Sequence, residues 1–223
     1  MVVSMKEGEI TDEVRVGLVA RGQSIEEDSF RIIEQEVGNH GFSPDEWLIV
    51  RRVIHTTGDL EYAEIIKLSS HAVKAGIRAL KGGASIFTDT RMVEVGLSPW
   101  RLEWFGNKVI TPIRDPLSQQ KAELWGTTRT AAAFRMVAEK LNGAIVAIGN
   151  APTALIEVLR LIEEGLRPAL IIGVPVGFVQ AFESKELLAN QKVVPYITTL
   201  SRKGGSAVAV AILHGLMECA RSA

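Results

Sequence analysis

The chain has little of what would mark several common functions. It holds one cysteine, Cys219, in 223 residues, so no intrachain disulfide is open to it, and its four histidines stand at no metal-ligand spacing. A reducing, cytoplasmic setting without a bound metal is expected. An excess of one charge is missing too: 25 Lys and Arg against 26 Asp and Glu leave a net charge of -1, with both signs mixed along the chain. That balance argues against the broad basic face that nucleic acid requires. The apolar runs are strand length and broken by Gly and Pro, and the first thirty residues contain no signal-peptide core. No membrane span is expected. Dinucleotide and P-loop fingerprints, a Ser-His-Asp order, paired catalytic carboxylates, internal repeats and low-complexity tracts are all lacking.

What is present is an α/β rhythm in one domain, with no linker dividing residues 1–223. The N-terminal third reads as helical. Ile25, Phe30, Ile33 and Val37 share a face over 24–37, with Ser24 and Glu27 as a capping box. Ser43 and Pro44 open a second helix, SPDEWLIVRRVIHTTGD, with Glu46 three residues after the serine; a third runs from about Tyr62 to Lys81 and stops at Gly82-Gly83. Beyond it, apolar runs at 84–89, 108–113, 144–149, 169–174 and 193–200 alternate with helical patterns. The spacing predicts a three-layer α/β/α domain with a mainly parallel sheet of about five strands and an N-terminal helical segment. Ligands of such sheets sit beyond the carboxyl ends of the strands.

Four constellations fall at or near such ends. In AIVAIGNAPTAL, Gly149 permits close backbone approach and Asn150 tolerates unusual dihedrals. Thr153 can cap the next helix, leaving N–H groups free for an anion. The bland alternative is that Asn150 and Thr153 only cap the helix behind Pro152. In GVPVGFVQAFESKELL, Val176, Gly177 and Phe178 form a loop suited to a flat apolar ligand, or else fold back into the core. In SRKGGSAVAVA, Arg202 and Lys203 precede Gly204, Gly205 and Ser206 at a helix start, a combination that favours a carboxylate or phosphate. In RRVIHTTGD, Arg52 and His55 share a helix face and His55 stands beside Thr56 at the helix end. It is a candidate proton shuttle or merely a favourable end charge. Arg129 is either a surface residue or a fixed cation, and His40, His71 and His214 have weaker contexts.

Taken together, RRVIHTTGD, FTDTRMVEVGL, GNAPTAL, GVPVGFVQAFESK and RKGGSAVA resemble the precorrin-8X methylmutase family, also called cobalt-precorrin-8 methylmutase, of the cobalamin pathway. The resemblance runs from about Ile25 to the last helix. It implies an isomerase that moves a methyl group from ring carbon 11 to ring carbon 12 of a corrinoid tetrapyrrole, giving hydrogenobyrinate or cobyrinate. It further implies a homodimer and no separate cofactor. HTTGD is more similar to the cobalt-dependent members, in which cobalt is carried within the substrate. The resemblance makes His55 the catalytic residue and turns Ser29, Ser98 and Arg129 toward the substrate. Arg52, Thr56, Asn150, Thr153, Val176, Gly177, Phe178, Arg202, Lys203, Gly204, Gly205 and Ser206 complete the expected binding set. The chain departs from the family pattern at Ser201, where a glycine is usual, at Leu68-Ser69-Ser70, where Phe-Ser-Pro is common, and at His214, where asparagine is common. A tetrapyrrole carrier without catalysis and a two-substrate transferase are the competing readings.

Overall fold

A computed structural model describes residues 12–223. The first helix, α1 (Asp12–Val37), begins well upstream of Ser24, so the expected Ser24–Glu27 capping box is corrected: both residues lie inside the helix. The second, α2 (Pro44–Thr57), starts where its sequence says it should. Pro44 occupies the first turn, and the Glu46 carboxylate accepts from the Ser43 N–H at 2.9 Å and from its hydroxyl at 2.8 Å. Gly58, left-handed at φ 65°, ends it.

The helix expected over Tyr62–Lys81 is three elements instead: α3 (Tyr62–Ile65), β1 (Ile66–Leu68) and α4 (Ala72–Lys81). There follow β2 (Ile86–Thr88), α5 (Arg91–Gly96), α6 (Pro99–Glu103), β3 (Val109–Ile110), α7 (Leu117–Trp125) and α8 (Arg129–Met136). The chain closes with β4 (Ile145–Ile148), α9 (Pro152–Glu163), β5 (Leu170–Gly173), α10 (Ala181–Asn190), β6 (Tyr196–Thr199) and α11 (Ser206–Ser222).

The sheet has six strands in the order β1-β6-β5-β4-β2-β3, one more than expected. Five are parallel; the added edge strand β1 runs antiparallel to β6, pairing Ile66 with Thr199 and Leu68 with Ile197. Ser69 extends that edge, since its hydroxyl accepts the Tyr196 N–H at 2.9 Å.

Strand alternation builds two cores. Ile145 and Ala147 face a cluster with α2, α4 and α11, whereas Val146 and Ile148 face one with α8, α9 and α10. Burial on both faces explains why the strands read as unbroken apolar runs. Helix α11 crosses α2 closely: a Cβ on Gly215 would sit 3.0 Å from the Ile49 Cα. The crossing brings the C-terminal end of α2 beside the N-terminal end of α11, at the carboxyl edge of the sheet.

Candidate active site

The chain passes from β2 outward to β3, then returns past β2 to β4 and continues the other way to β5. The carboxyl ends of β2 and β4 therefore diverge at a topological switch point, where α/β sheets open a crevice. Asp89 occupies that point. Fully buried, its carboxylate accepts the N–H groups of Gly149 at 3.0 Å, Asn150 at 2.8 Å and Ala151 at 2.7 Å. Burial pushes the Asp89 carboxyl above its ordinary range, and the three N–H bonds oppose that shift.

The anion cradle expected after β4 thus exists, but the anion in it is the protein's own. Nor does Thr153 cap α9: Ala151 is the capping position, with Pro152 at the first turn, and the Thr153 hydroxyl instead meets that of Thr128 at 2.8 Å. The Asn150 side chain is exposed. Gly149 is required here, because a Cβ would lie 2.8 Å from the Ser206 Cα. Asp89 was not singled out in the sequence, as nothing local marks a carboxylate whose partners are 60 residues away.

The ends of β5 and β6 form one surface. The Val174 carbonyl accepts the Gly205 N–H at 2.8 Å, and the Arg202 carbonyl accepts that of Gly177 at 3.2 Å. A Cβ on Gly204 would fall 2.2 Å from the Val174 oxygen, so only glycine fits the crossing. Phe178 is 82% exposed and Val176 46%, which decides against their folding into the core. The Arg202 guanidinium lies over the Phe178 ring, 5.4 Å from its centroid.

Lys203 departs from its expected role as a free cation. Its ammonium binds Asp59 at 2.5 Å and Glu61 at 2.7 Å, which raises its pKa and holds Asp59 below the usual carboxylate range. It fastens the β6 turn to the loop after α2. Beneath that turn, the wholly buried Lys185 donates to the Lys203 carbonyl at 2.8 Å, and burial pushes its own pKa down to about 8. Lys185 could have been found: Ala181, Ser184, Lys185 and Leu188 are the buried residues of α10 and repeat at helical spacing.

The remaining candidates except Arg129 lie on or near α2 and α11. His55 is exposed, with the edge of its ring against Phe30 at 5.2 Å between centroids. Ser29, next to Phe30, donates its hydroxyl to the Ile25 carbonyl at 2.8 Å. Arg52 and Thr56 line a crevice of 260 Å³ together with Met92, Gly96, Ser206 and His214. His55 lies between Arg52 and Thr56 on the same turn of α2 but is not itself among the lining residues. The Ser206 hydroxyl is 3.3 Å from that of Thr90. Ser98 holds His214, donating its N–H to His214 Nε2 at 3.1 Å while its hydroxyl accepts from Arg101, also at 3.1 Å. Arg129 stands apart, exposed and fixed by the Ser118 hydroxyl at 2.8 Å and the Ile113 carbonyl at 2.9 Å. The arrangement offers an exposed imidazole, the guanidinium groups of Arg52 and Arg202 and an exposed apolar loop, with the Arg129 guanidinium at a separate point. Among the described residues no cluster of three His, Cys, Asp or Glu suits a metal, and no helix is long and apolar enough to cross a membrane.

Comparison with known proteins gives the family of the chain. The family model described as "CbiC: Precorrin-8X methylmutase" matches residues 24–219. The cobalt-precorrin-8 methylmutase of Leptospira interrogans is 46% identical over 204 residues, covering 88% of this chain and 93% of that protein. The precorrin-8X methylmutase of a Sinorhizobium species is 43% identical over 197 residues, covering 87% and 93%. Among solved structures, the precorrin-8X methyl mutase of Thermus thermophilus superposes with a TM-score of 0.83 at 46% identity, covering 89% of this chain and 98% of that one.

Proposed function

The chain belongs to the precorrin-8X methylmutase family, and on that premise we propose that it moves a methyl group from ring carbon 11 to ring carbon 12 of precorrin-8X or cobalt-precorrin-8, with His55 as general acid. The observation that carries the reading is the placement of His55: exposed at the end of α2, in the same turn as two residues that line a crevice, at the carboxyl edge of the sheet.

The substrate is a large flat ring bearing several carboxylates. Arg52, Arg129 and Arg202 pair with carboxylates at separate points, while Val176 and Phe178 lie against the ring; guanidinium groups suit this task because they fork two N–H bonds onto one carboxylate. The His55 imidazolium donates its proton, or a hydrogen bond, to the macrocycle beside the migrating methyl, drawing electron density toward that atom. The bond from the methyl to carbon 11 breaks as its bond to carbon 12 forms, so composition is unchanged. The proton returns to His55 as the product relaxes. No second substrate or separate cofactor enters the balance; cobalt, where present, arrives in the substrate. Large exposed apolar side chains, Phe178, Val179, Leu124 and Met92, support a homodimer, and the lone buried thiol of Cys219 fits a cytoplasmic setting.

The test is turnover of substrate carrying ¹³C in the methyl on carbon 11, without added cofactor, followed by NMR. The expected result is transfer of the label to carbon 12, with no crossover between labelled and unlabelled molecules. Tight binding without label movement would favour the carrier, and crossover would favour an intermolecular transferase.

A further inference from the structure

His214 enters the site from α11, and its hydrogen bonding fixes its tautomer. Nε2 accepts the Ser98 N–H, so in the neutral ring the proton belongs to Nδ1. Burial, with the Arg101 and Arg52 charges nearby, pushes the His214 pKa down to about 4, so the ring is neutral at physiological pH. No acceptor among the described residues meets Nδ1. Nor is Nδ1 one of the buried polar atoms without a partner, which are His40 Nδ1, Arg51 Nε, Arg52 Nε and Asn107 Oδ1. It is therefore not sealed off, and His214 lines the crevice.

Two groups therefore meet at that crevice, the Nδ1–H of His214 and the guanidinium of Arg52. The second is a cation whose only carboxylate contact among the described residues is Glu26 at 3.3 Å. At 260 Å³ the space is below the roughly 300–1,000 Å³ that encloses a whole drug-sized ligand. It suits one arm of a larger molecule. We infer that the crevice between α2, α5 and α11 holds one carboxylate arm of the substrate, with the His214 Nδ1–H as its fixed donor and Arg52 as its counter-charge. The identity of the occupant rests on the proposed function. Arg52 alone would attract any anion; the neutral imidazole adds a single directed bond at no cost in buried charge, and so selects for where the carboxylate sits on the ring.

Two substitutions separate this role from a structural one. His214→Gln places an amide oxygen near the position of Nε2, keeping the acceptor for Ser98 and losing the donor. His214→Asn places an N–H near the position of Nδ1, keeping the donor and losing the reach to Ser98. Dissociation constants come from anaerobic absorbance titration with the tetrapyrrole, and Tm from thermal melts. The expected result is Kd raised about tenfold in His214→Gln with Tm within about 2 °C of wild type, the loss of one hydrogen bond to a charged group. In His214→Asn, Tm falls and Kd stays within about threefold. A wild-type Kd in His214→Gln, or Kd that follows Tm through both variants, overturns the inference. A wild-type protein that does not bind the tetrapyrrole overturns the proposed function itself, and this occupant with it.

Discussion

The turns after β4 and β6 look alike as sequence and behave differently as structure. Both follow an apolar strand, both place glycine before a helix, and both present N–H groups suited to an anion. The β4 turn is closed from within, three of its N–H groups being held by Asp89. The β6 turn is closed on one side only: Lys203 is held by Asp59 and Glu61, whereas Arg202 faces outward over Phe178. An anion-binding motif therefore tells what charge a turn will accept and not whether the chain already supplies it. The internal carboxylate fills the donors of the β4 turn, whereas the β6 turn keeps an outward-facing guanidinium.

The comparison can be broken at either turn. Asp89→Ala carries the largest expected effect, because it strands backbone donors at the switch point. It should cost about 3 kcal/mol or more in urea unfolding, and a loss below about 1 kcal/mol would mean that water satisfies the turn. Gly204→Ala comes next: its Cβ would strike the Val174 carbonyl at 2.2 Å. A cost of about 2 kcal/mol together with a raised KM is expected, since the β5 and β6 turns must part. Arg202→Gln should leave the melting curve nearly unchanged and raise KM about tenfold, as expected for one charge-assisted contact to a carboxylate. Lys203→Met should change KM by less than about threefold, its charge being already spent on two protein carboxylates. If Lys203→Met exceeded Arg202→Gln in its effect on KM, the assignment of inward and outward cations would be reversed.

Much of the fold was legible because burial on both faces leaves a local signature. The five parallel strands stand out as apolar runs, and α2 is announced by Ser43, Pro44, Glu46 and Gly58. The edge strand β1 was missed for a physical reason. Its three residues carry Lys67 at the centre, and the apolar positions around it fit a helix equally well; pairing with β6 decides the matter from 130 residues away. The Ser24–Glu27 box failed similarly, since a capping pattern marks a helix start only where the helix does not continue upstream. Among the candidates, residues that project outward, such as His55, Arg202, Val176 and Phe178, could be read from local pattern. Of the contacts beneath the site, the burial of Lys185 has a helical-period signal, but two have no local mark: Asp89 acts on a turn 60 residues later, and Lys203 is neutralised from the loop after α2. His214 shows its part only when Ser98 and Arg52 are seen beside it.

The central claim is that His55 supplies the proton while the rest of the edge supplies the binding. It is tested most directly by one anaerobic absorbance experiment comparing wild type with His55→Ala on the same tetrapyrrole. The account predicts that both proteins bind with Kd values within about threefold, and that the chromophore change of methyl migration is at least about a hundredfold slower in the variant. Conversion by His55→Ala at the wild-type rate would contradict it.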